Sequence, residues 1–380
     1  MKIFSLAFLW YIPIISGLLF QFLFGCNQAS ESPQASQLPD NQQNQKRDKT
    51  GAANIIFKST DSGQTWQDIS DGLPVPLKDD ASGGRDVFFA DDNGLWLTDG
   101  NGIYHSKPNF TAPFWNKEIF PNEHSNIAPG KAGIFAYNYH GGGIFQKTNG
   151  TGVWSPVFTN FPAKRVFSIS ETAGGTIFIG SDRGLFKSIN SGTSWKQLHA
   201  PTGGKIVESN GVLLASCQRG ILRSTDDGES WALVISEGGV GIDIERIEGG
   251  FAAINYSTVA KTRRIRTSYN GGKTWQAIDA GFPGQAIIDL PWRPINAGNP
   301  AQGSADSGWH PKEAAPPVPE YKTSVIQVGE NFFCGHTDGI YRSSDKGKTW
   351  KLVHPSLKGK MFILSVSGNV IYALQTESHC

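Results

Sequence analysis

Five segments of this chain are copies of one eight-residue pattern, Ser-x-Asp/Asn-x-Gly-x-Thr/Ser-Trp. They are STDSGQTW (59–66), SINSGTSW (188–195), STDDGESW (224–231), SYNGGKTW (268–275) and SSDKGKTW (343–350). A pattern recurring at roughly 40-residue intervals marks a supersecondary unit stacked on copies of itself. The chemistry of the pattern is local. The Asp or Asn side chain accepts backbone N–H groups further along and closes a turn. The Gly supplies a positive φ, the Thr or Ser hydroxyl reaches the same side chain, and the Trp covers the hairpin. Asp61, Asn190, Asp226, Asn270 and Asp345, with Trp66, Trp195, Trp231, Trp275 and Trp350, are therefore read as structural. A catalytic or Ca²⁺-binding role fits them poorly, because catalysis does not recur at a fixed period.

The flanks repeat as well. Eleven residues before the Trp stands a Gly in four copies: Gly143, Gly184, Gly220 and Gly339. A short apolar run leads from it into the box, and another follows the Trp, as in WKQL, WALV and WKLV. Two more runs lie upstream, such as VFSIS (166–170) and TIFIG (176–180). Four strands per unit with alternating faces predict an all-β chain built as a β-propeller with four-stranded antiparallel blades. A composition of 45 Gly, 11% aromatic and only 18% charged residues suits many short strands joined by tight turns.

Degenerate copies end at Trp115 and Trp154, giving seven box tryptophans with spacings of 49, 39, 41, 36, 44 and 75. The last gap holds residues 283–319, which carry eight prolines and almost no strand pattern, so it is read as an insertion. The 14 residues 53–66 hold two strands, and the 30 residues 351–380 hold two more without a box of their own. Together they make one repeat length. Seven blades follow, the last shared by the two termini, which leaves no open sheet edge.

The N-terminus reads MKIFSLAFLWYIPIISGLLFQFLFGC, apolar from Lys2 to Cys26. Leu23-Phe24-Gly25-Cys26 resembles a bacterial lipobox, which implies a signal peptide over 1–25, lipid attachment at Cys26 and a place in the bacterial cell envelope, periplasmic or at the cell surface. The alternative, an uncleaved membrane anchor, would carry a basic stop-transfer cluster, and Asn, Gln, Ser and Pro follow instead. Residues 26–52 read as a disordered lipidated tether, and 53–380 as the propeller. Cys217, Cys334 and Cys380 show no metal or disulfide spacing, and Cys217 and Cys334 read as small buried apolar residues. A net charge of +1 provides no field for nucleic acid. Nothing in the spacing of ligand-type residues implies a metal or cofactor, and a monomer is expected.

If the boxes occupy one face, the opposite face carries the turns between second and third strands and the links between blades. The turns include Tyr139-His140-Gly141, Ser181-Asp182-Arg183-Gly184, Cys217-Gln218-Arg219-Gly220, YSTVAKTRR (256–264) and His336-Thr337-Asp338-Gly339. Arg183, Arg219, Arg263, Arg264, Asp182, His140, His336 and Asp338 are thus candidate ligand-binding residues. Arginine suits carboxylate, phosphate or sulfate groups; ordinary solvated turn residues are the competing reading. Trp292, Arg293 and Trp309 of the insertion are further candidates, able either to stack on a ligand or to hold the loop against the propeller.

The five boxes resemble the Asp-box of the BNR repeat family, which implies a propeller whose ligands bind on the face away from the boxes. Sialidases share these boxes, but they have six blades and a Phe/Tyr-Arg-Ile-Pro motif, and neither is evident here. The family's xyloglucan-cleaving enzymes use two seven-bladed domains. The chain is more similar to single-domain, seven-bladed, non-catalytic BNR propellers, one family of which assists photosystem II assembly and holds a protein partner on an arginine-lined face. That resemblance implies a membrane-tethered binding or assembly scaffold for a protein or glycan partner. The alternative is a glycoside hydrolase acting on surface or environmental glycans.

Overall fold

A computed structural model describes residues 54–74, 87–100, 102–106, 115–120, 125–149, 151–158, 161, 163–198, 203–236, 239–257, 262–282 and 324–377. Residues 1–53, with Cys26, and the stretch 283–323, with Trp292, Arg293 and Trp309, lie outside the described residues. Every described element is a strand, and the strands form seven four-stranded antiparallel sheets. We number them as blades I (88–117), II (126–158), III (166–198), IV (203–235), V (239–277) and VI (325–355), with a closing blade made from both ends of the chain. Within a blade the strands are counted outward from the axis.

The first strands touch in a ring. Lys360–Ser367 of the closing blade meets Phe88–Asp91; contact passes through Asn126–Gly130, Val166–Glu171, Gly203–Ser209, Gly239–Ile247 and Val325–Val328, and returns to Lys360–Ser367. The closing blade runs Lys360–Ser367, Val370–Glu377, Ile56–Ser59, Gln67–Asp68, so N- and C-terminal strands share one sheet as the strand count predicts. The fold is a seven-bladed propeller.

Its apolar core is divided into seven clusters, one at each seam between neighbouring blades. At the seam of blade VI and the closing blade, Phe333 and Phe362 are fully buried with Ile340, Ile371 and Ala373. Blades therefore cohere by face-to-face burial of alternating strand residues, the term that dominates folding free energy.

The box turns have the chemistry read from the sequence. In the closing blade Ser59 Oγ donates to Asp61 Oδ1 (2.8 Å) and accepts from Gly63 N (2.9 Å). Asp61 also accepts from Gln64 N (3.0 Å), Thr65 N (2.9 Å) and Thr65 Oγ1 (2.6 Å). Asp226 and Asp345 hold their turns in the same way, and Asn190 and Asn270 accept the same backbone N–H but donate Nδ2 to the Ser194 and Thr274 hydroxyls (2.9 and 2.7 Å). The box glycine has two reasons to be glycine. Gly63 has φ +77°, and a β-carbon there would lie 2.5 Å from the Phe333 ring of the preceding blade; Gly228, at φ +84°, would meet Phe178 at 2.9 Å. Each box is thus wedged against its neighbour.

Five of the seven box tryptophans donate their indole N–H in one of two ways, while the buried Nε1 atoms of Trp66 and Trp154 make no hydrogen bond among the described residues. Trp195, Trp231 and Trp275 donate to the carbonyl of their own box glycine at 3.0, 2.9 and 3.1 Å. Trp350 instead donates to Ile278 O of blade V (2.7 Å), and Trp115 to Ile69 O of the closing blade (3.0 Å). Both are buried. The covering role expected of every box Trp within its own hairpin therefore becomes a link between blades at these two places. Both acceptors stand in the same local sequence, Trp-Gln-x-Ile-x-x-Gly (66–72 and 275–281).

A further inter-blade fastening was not read from the sequence. The residue before the box Ser is basic in four of the five full boxes, at Lys58, Lys187, Arg223 and Arg342. Lys187 Nζ reaches into the box of blade IV and bonds Asp227 O (2.8 Å) and its carboxylate (2.7 Å). Arg223 Nε donates to Gly271 O in the box of blade V (2.5 Å).

Candidate binding face opposite the box turns

Blades III and IV present matching turns. Ser181 Oγ accepts from Arg183 N (3.2 Å) and donates to Gly184 O (2.9 Å), while Gln197 Nε2 donates to Arg183 O (2.7 Å). Cys217 Sγ accepts from Arg219 N (3.4 Å) at the same position of the next blade. The backbone of each arginine is fixed, and both side chains are exposed. Asp182 is committed to the scaffold: its N–H donates to Arg165 O, and its Oδ1 accepts from Arg165 N, both at 3.2 Å. This exchange ties the turn to the link that enters blade III.

Blade V differs from the turn expected over 256–264. Tyr256 and Ser257 belong to the second strand, and Thr262, Arg263 and Arg264 to the third, with Tyr256 opposite Arg263 and Asn255 opposite Arg264. The hairpin is longer than its neighbours', so both arginines are ladder residues. Arg264 forms a forked pair with Asp279, Nε to Oδ2 at 2.7 Å and Nη2 to Oδ1 at 3.2 Å, and the same carboxylate accepts Ile265 N (3.2 Å). Asp279 is buried. Such bidentate pairing is geometrically exacting, so the Arg264 guanidinium is engaged within the fold. Arg263 is partly buried. The sequence signal for the Asp279 partner was the repeated Trp-Gln-x-Ile-x-x-Gly segment, which places Ser70 at the matching position; Ser70 Oγ accepts Ile55 N and Ile56 N at 2.8 and 2.9 Å.

In blade VI the arginine position of blades III and IV is taken by Asp338. Its carboxylate receives Tyr341 Oη (2.6 Å) and contacts His336 Nδ1. Burial opposes its ionisation, but the hydrogen bonds from Tyr341 and His336 outweigh that and hold its pKa below the usual value. Burial and the carboxylate together push the Tyr341 hydroxyl up. His336 is buried, with the Phe282 ring edge-on at 5.5 Å. This group closes on itself at the root of the 283–319 insertion. His140 is exposed on blade II, its N–H donating to Asn138 Oδ1 (2.8 Å), and Tyr139 O accepts Val166 N (2.9 Å).

The structure therefore brings Arg183 and Arg219 onto adjacent blades at equivalent turns, and changes the sign of the rim at blade VI. Cys217 and Cys334 are free, buried thiols; burial raises both, Cys334 to about 12. Among the described residues no group of three or more His, Cys, Asp or Glu is placed to hold a metal ion.

No protein-family model and no curated protein matches the chain. Solved structures with the same fold include a GH74 xyloglucanase from Xanthomonas campestris, with TM-score 0.54, 14% identity, and 82% of this chain and 53% of that one covered. A streptogramin B lyase gives 0.52, 13%, 86% and 99%. YCF48 from Cyanidioschyzon merolae gives 0.50, 14%, 80% and 97%. The chain spans about half the length of the xyloglucanase. At these identities the likeness concerns the propeller fold alone.

Proposed function

We infer that this propeller is a non-catalytic binding or assembly scaffold that captures an anionic or polar partner on the face opposite the box turns. The observation that carries the reading is the pair Arg183 and Arg219: equivalent turns of adjacent blades, exposed guanidinium groups, and backbones already locked. Fixed backbones present the two guanidinium groups from adjacent turns, and guanidinium suits forked recognition of carboxylate, phosphate or sulfate. Arg263 lies on the next blade along the same arc, and Arg264 supports the strand beneath it through Asp279. His140 and Asp338 bound the arc with groups of other character. The lipobox-like Leu23-Phe24-Gly25-Cys26 supports attachment to an envelope membrane through Cys26.

Charge reversal at both positions, Arg183→Glu with Arg219→Glu, tests this. The variant is expected to melt like the wild type, since exposed turn charges contribute within about ±0.5 kcal/mol. It should lose the partner that wild-type protein retains from an envelope extract, and wild-type capture should weaken with salt. Turnover of xyloglucan or a sialoside reporter by the purified protein, lost on changing one carboxylate or tyrosine, would favour the glycoside hydrolase reading instead.

A further inference from the structure

On the box face, the turns between first and second strands ring the axis, and the following blade latches three of them, at blades II, III and V. Glu171 of blade III accepts Lys131 N of the blade II turn (2.7 Å). Glu208 of blade IV accepts Ala173 N of the blade III turn (3.2 Å). Gln327 of blade VI accepts Glu248 N of the blade V turn (3.0 Å). In each case an acceptor near the end of a first strand takes an N–H from the preceding blade. Blade V carries Arg246 at this position, opposite Phe251 as Glu208 is opposite Leu213. An arginine has five donors and no acceptor, so it cannot close the latch onto blade IV.

Ala90, Pro129 and Val366 at this register leave three other seams unlatched with apolar side chains; at the blade IV–V seam, where the residue is instead charged, a cleft of about 410 Å³ opens, lined by Ser209 and Asn210 of blade IV, Arg246 and Glu248 of blade V, and Gln327 of blade VI. The exposed Tyr269 ring stands outside the lining, next to its Gly249 edge, 3.9 Å from where a β-carbon on that glycine would sit. The carboxylates of Glu171 and Glu208 are spent on backbone N–H groups, whereas Arg246, Glu248 and Asn210 are all exposed to solvent. Gln327 holds the far wall in place, donating to Gly329 O (2.7 Å) while it accepts from Glu248 N.

The geometry points to a second binding site here, on the face opposite Arg183 and Arg219, for a neutral sugar unit of a glycan. A sugar hydroxyl both donates and accepts, and the cleft offers donors (Arg246, Asn210) interleaved with acceptors (Glu248, Ser209). One cation, Arg246, and one anion, Glu248, line the cleft, so its own charges do not select an anion. The Tyr269 ring supplies an apolar face for the sugar ring to stack on. The volume lies within the range of small-ligand clefts, roughly 300–1,000 Å³.

The test is titration calorimetry of the full chain with three neutral probes: the β-1,4-linked hexaoses of glucose, xylose and N-acetylglucosamine. At least one should bind at millimolar concentration or below. Tyr269→Ala should weaken it about tenfold or more. Arg246→Gln restores an acceptor; it should abolish binding and slow hydrogen exchange of the Ser209-Asn210 turn. The Arg183→Glu, Arg219→Glu protein should bind as the wild type does, which separates this site from the partner face. The proposal is overturned if none of the probes binds, if both cleft variants bind undiminished, or if only the arginine double variant loses binding.

Discussion

Ile56, in the first described strand, pairs with Leu374 in the last, and Ile55 O accepts Gln375 N at 2.6 Å. This ladder makes the ring a ring. Ser59 and Ile371 end the same register, beside the box that wedges Gly63 onto Phe333. Deleting residues 361–380 removes two strands of the closing blade and exposes the edge of Ile56–Ser59. Thermal melts should show loss of the cooperative transition in that truncation. Deletion of 27–50 should leave the midpoint within a few degrees of the full chain. Equal midpoints for the two truncations would refute closure by shared strands.

Phe333 is fully buried at the seam that the closing blade completes. Phe333→Ala should destabilise the protein by about 3–5 kcal/mol, read by chemical denaturation. A loss under about 1 kcal/mol would mean the seam collapses around the cavity or that the blades cohere elsewhere.

Asp345 shows how the boxes respond to acid. Hydrogen bonds from Thr349 and Ser343 hold its pKa at about 2, and Asp61 and Asp226 likewise sit at about 2. Folded-state pKa values below the unfolded value of 3.8 mean stability that is present above 3.8 and is lost as pH falls through about 2. Asp345→Asn should keep the fold at neutral pH, since Asn190 and Asn270 already serve in this role. It should also flatten the acid limb of a melting curve recorded from pH 5 to pH 2. Selective loss of partner capture at unchanged stability would make the box a binding site.

His354 sits in an aromatic pocket of Phe57 (4.6 Å), Trp66 (5.4 Å) and Phe362 (5.4 Å), all from the closing blade. Burial lowers its pKa, and burial also lowers that of His105, stacked on Trp96 at 3.9 Å. A histidine kept neutral by folding stabilises above its ordinary pKa of about 6.5, and that stability is lost as pH drops through the folded-state value. The melting midpoint should fall between pH 7.5 and pH 5, and less so in His354→Phe. A midpoint independent of pH over this interval would contradict the assignment.

What was legible in the sequence is what short-range chemistry decides. The Asp61–Thr65 hydrogen bonds span four residues, so the box could be read from spacing alone, and the strand count of the two ends gave the closing blade. Less was legible where the partner lies on another blade. Lys187 and Arg223 look like ordinary strand residues until the boxes of the next blades are placed against them. Arg264 looked available in a turn, but a longer hairpin puts it in a ladder within reach of Asp279. Arg246 became informative only through its registry with Glu208 and Gln327, a comparison that needs the sheet pairings.

The claim that partners meet the arginine face is tested most directly by face-resolved photocrosslinking. Benzoylphenylalanine is placed at Gln218, an exposed residue beside Arg219, and separately at Asn369, exposed in the turn between first and second strands of the closing blade on the box face. Illumination in the native envelope should give a discrete adduct from position 218, absent from position 369 and lost when Arg183→Glu and Arg219→Glu are added. An adduct with the same partner from position 369, one that survives the charge reversal, or none from position 218 would contradict the account.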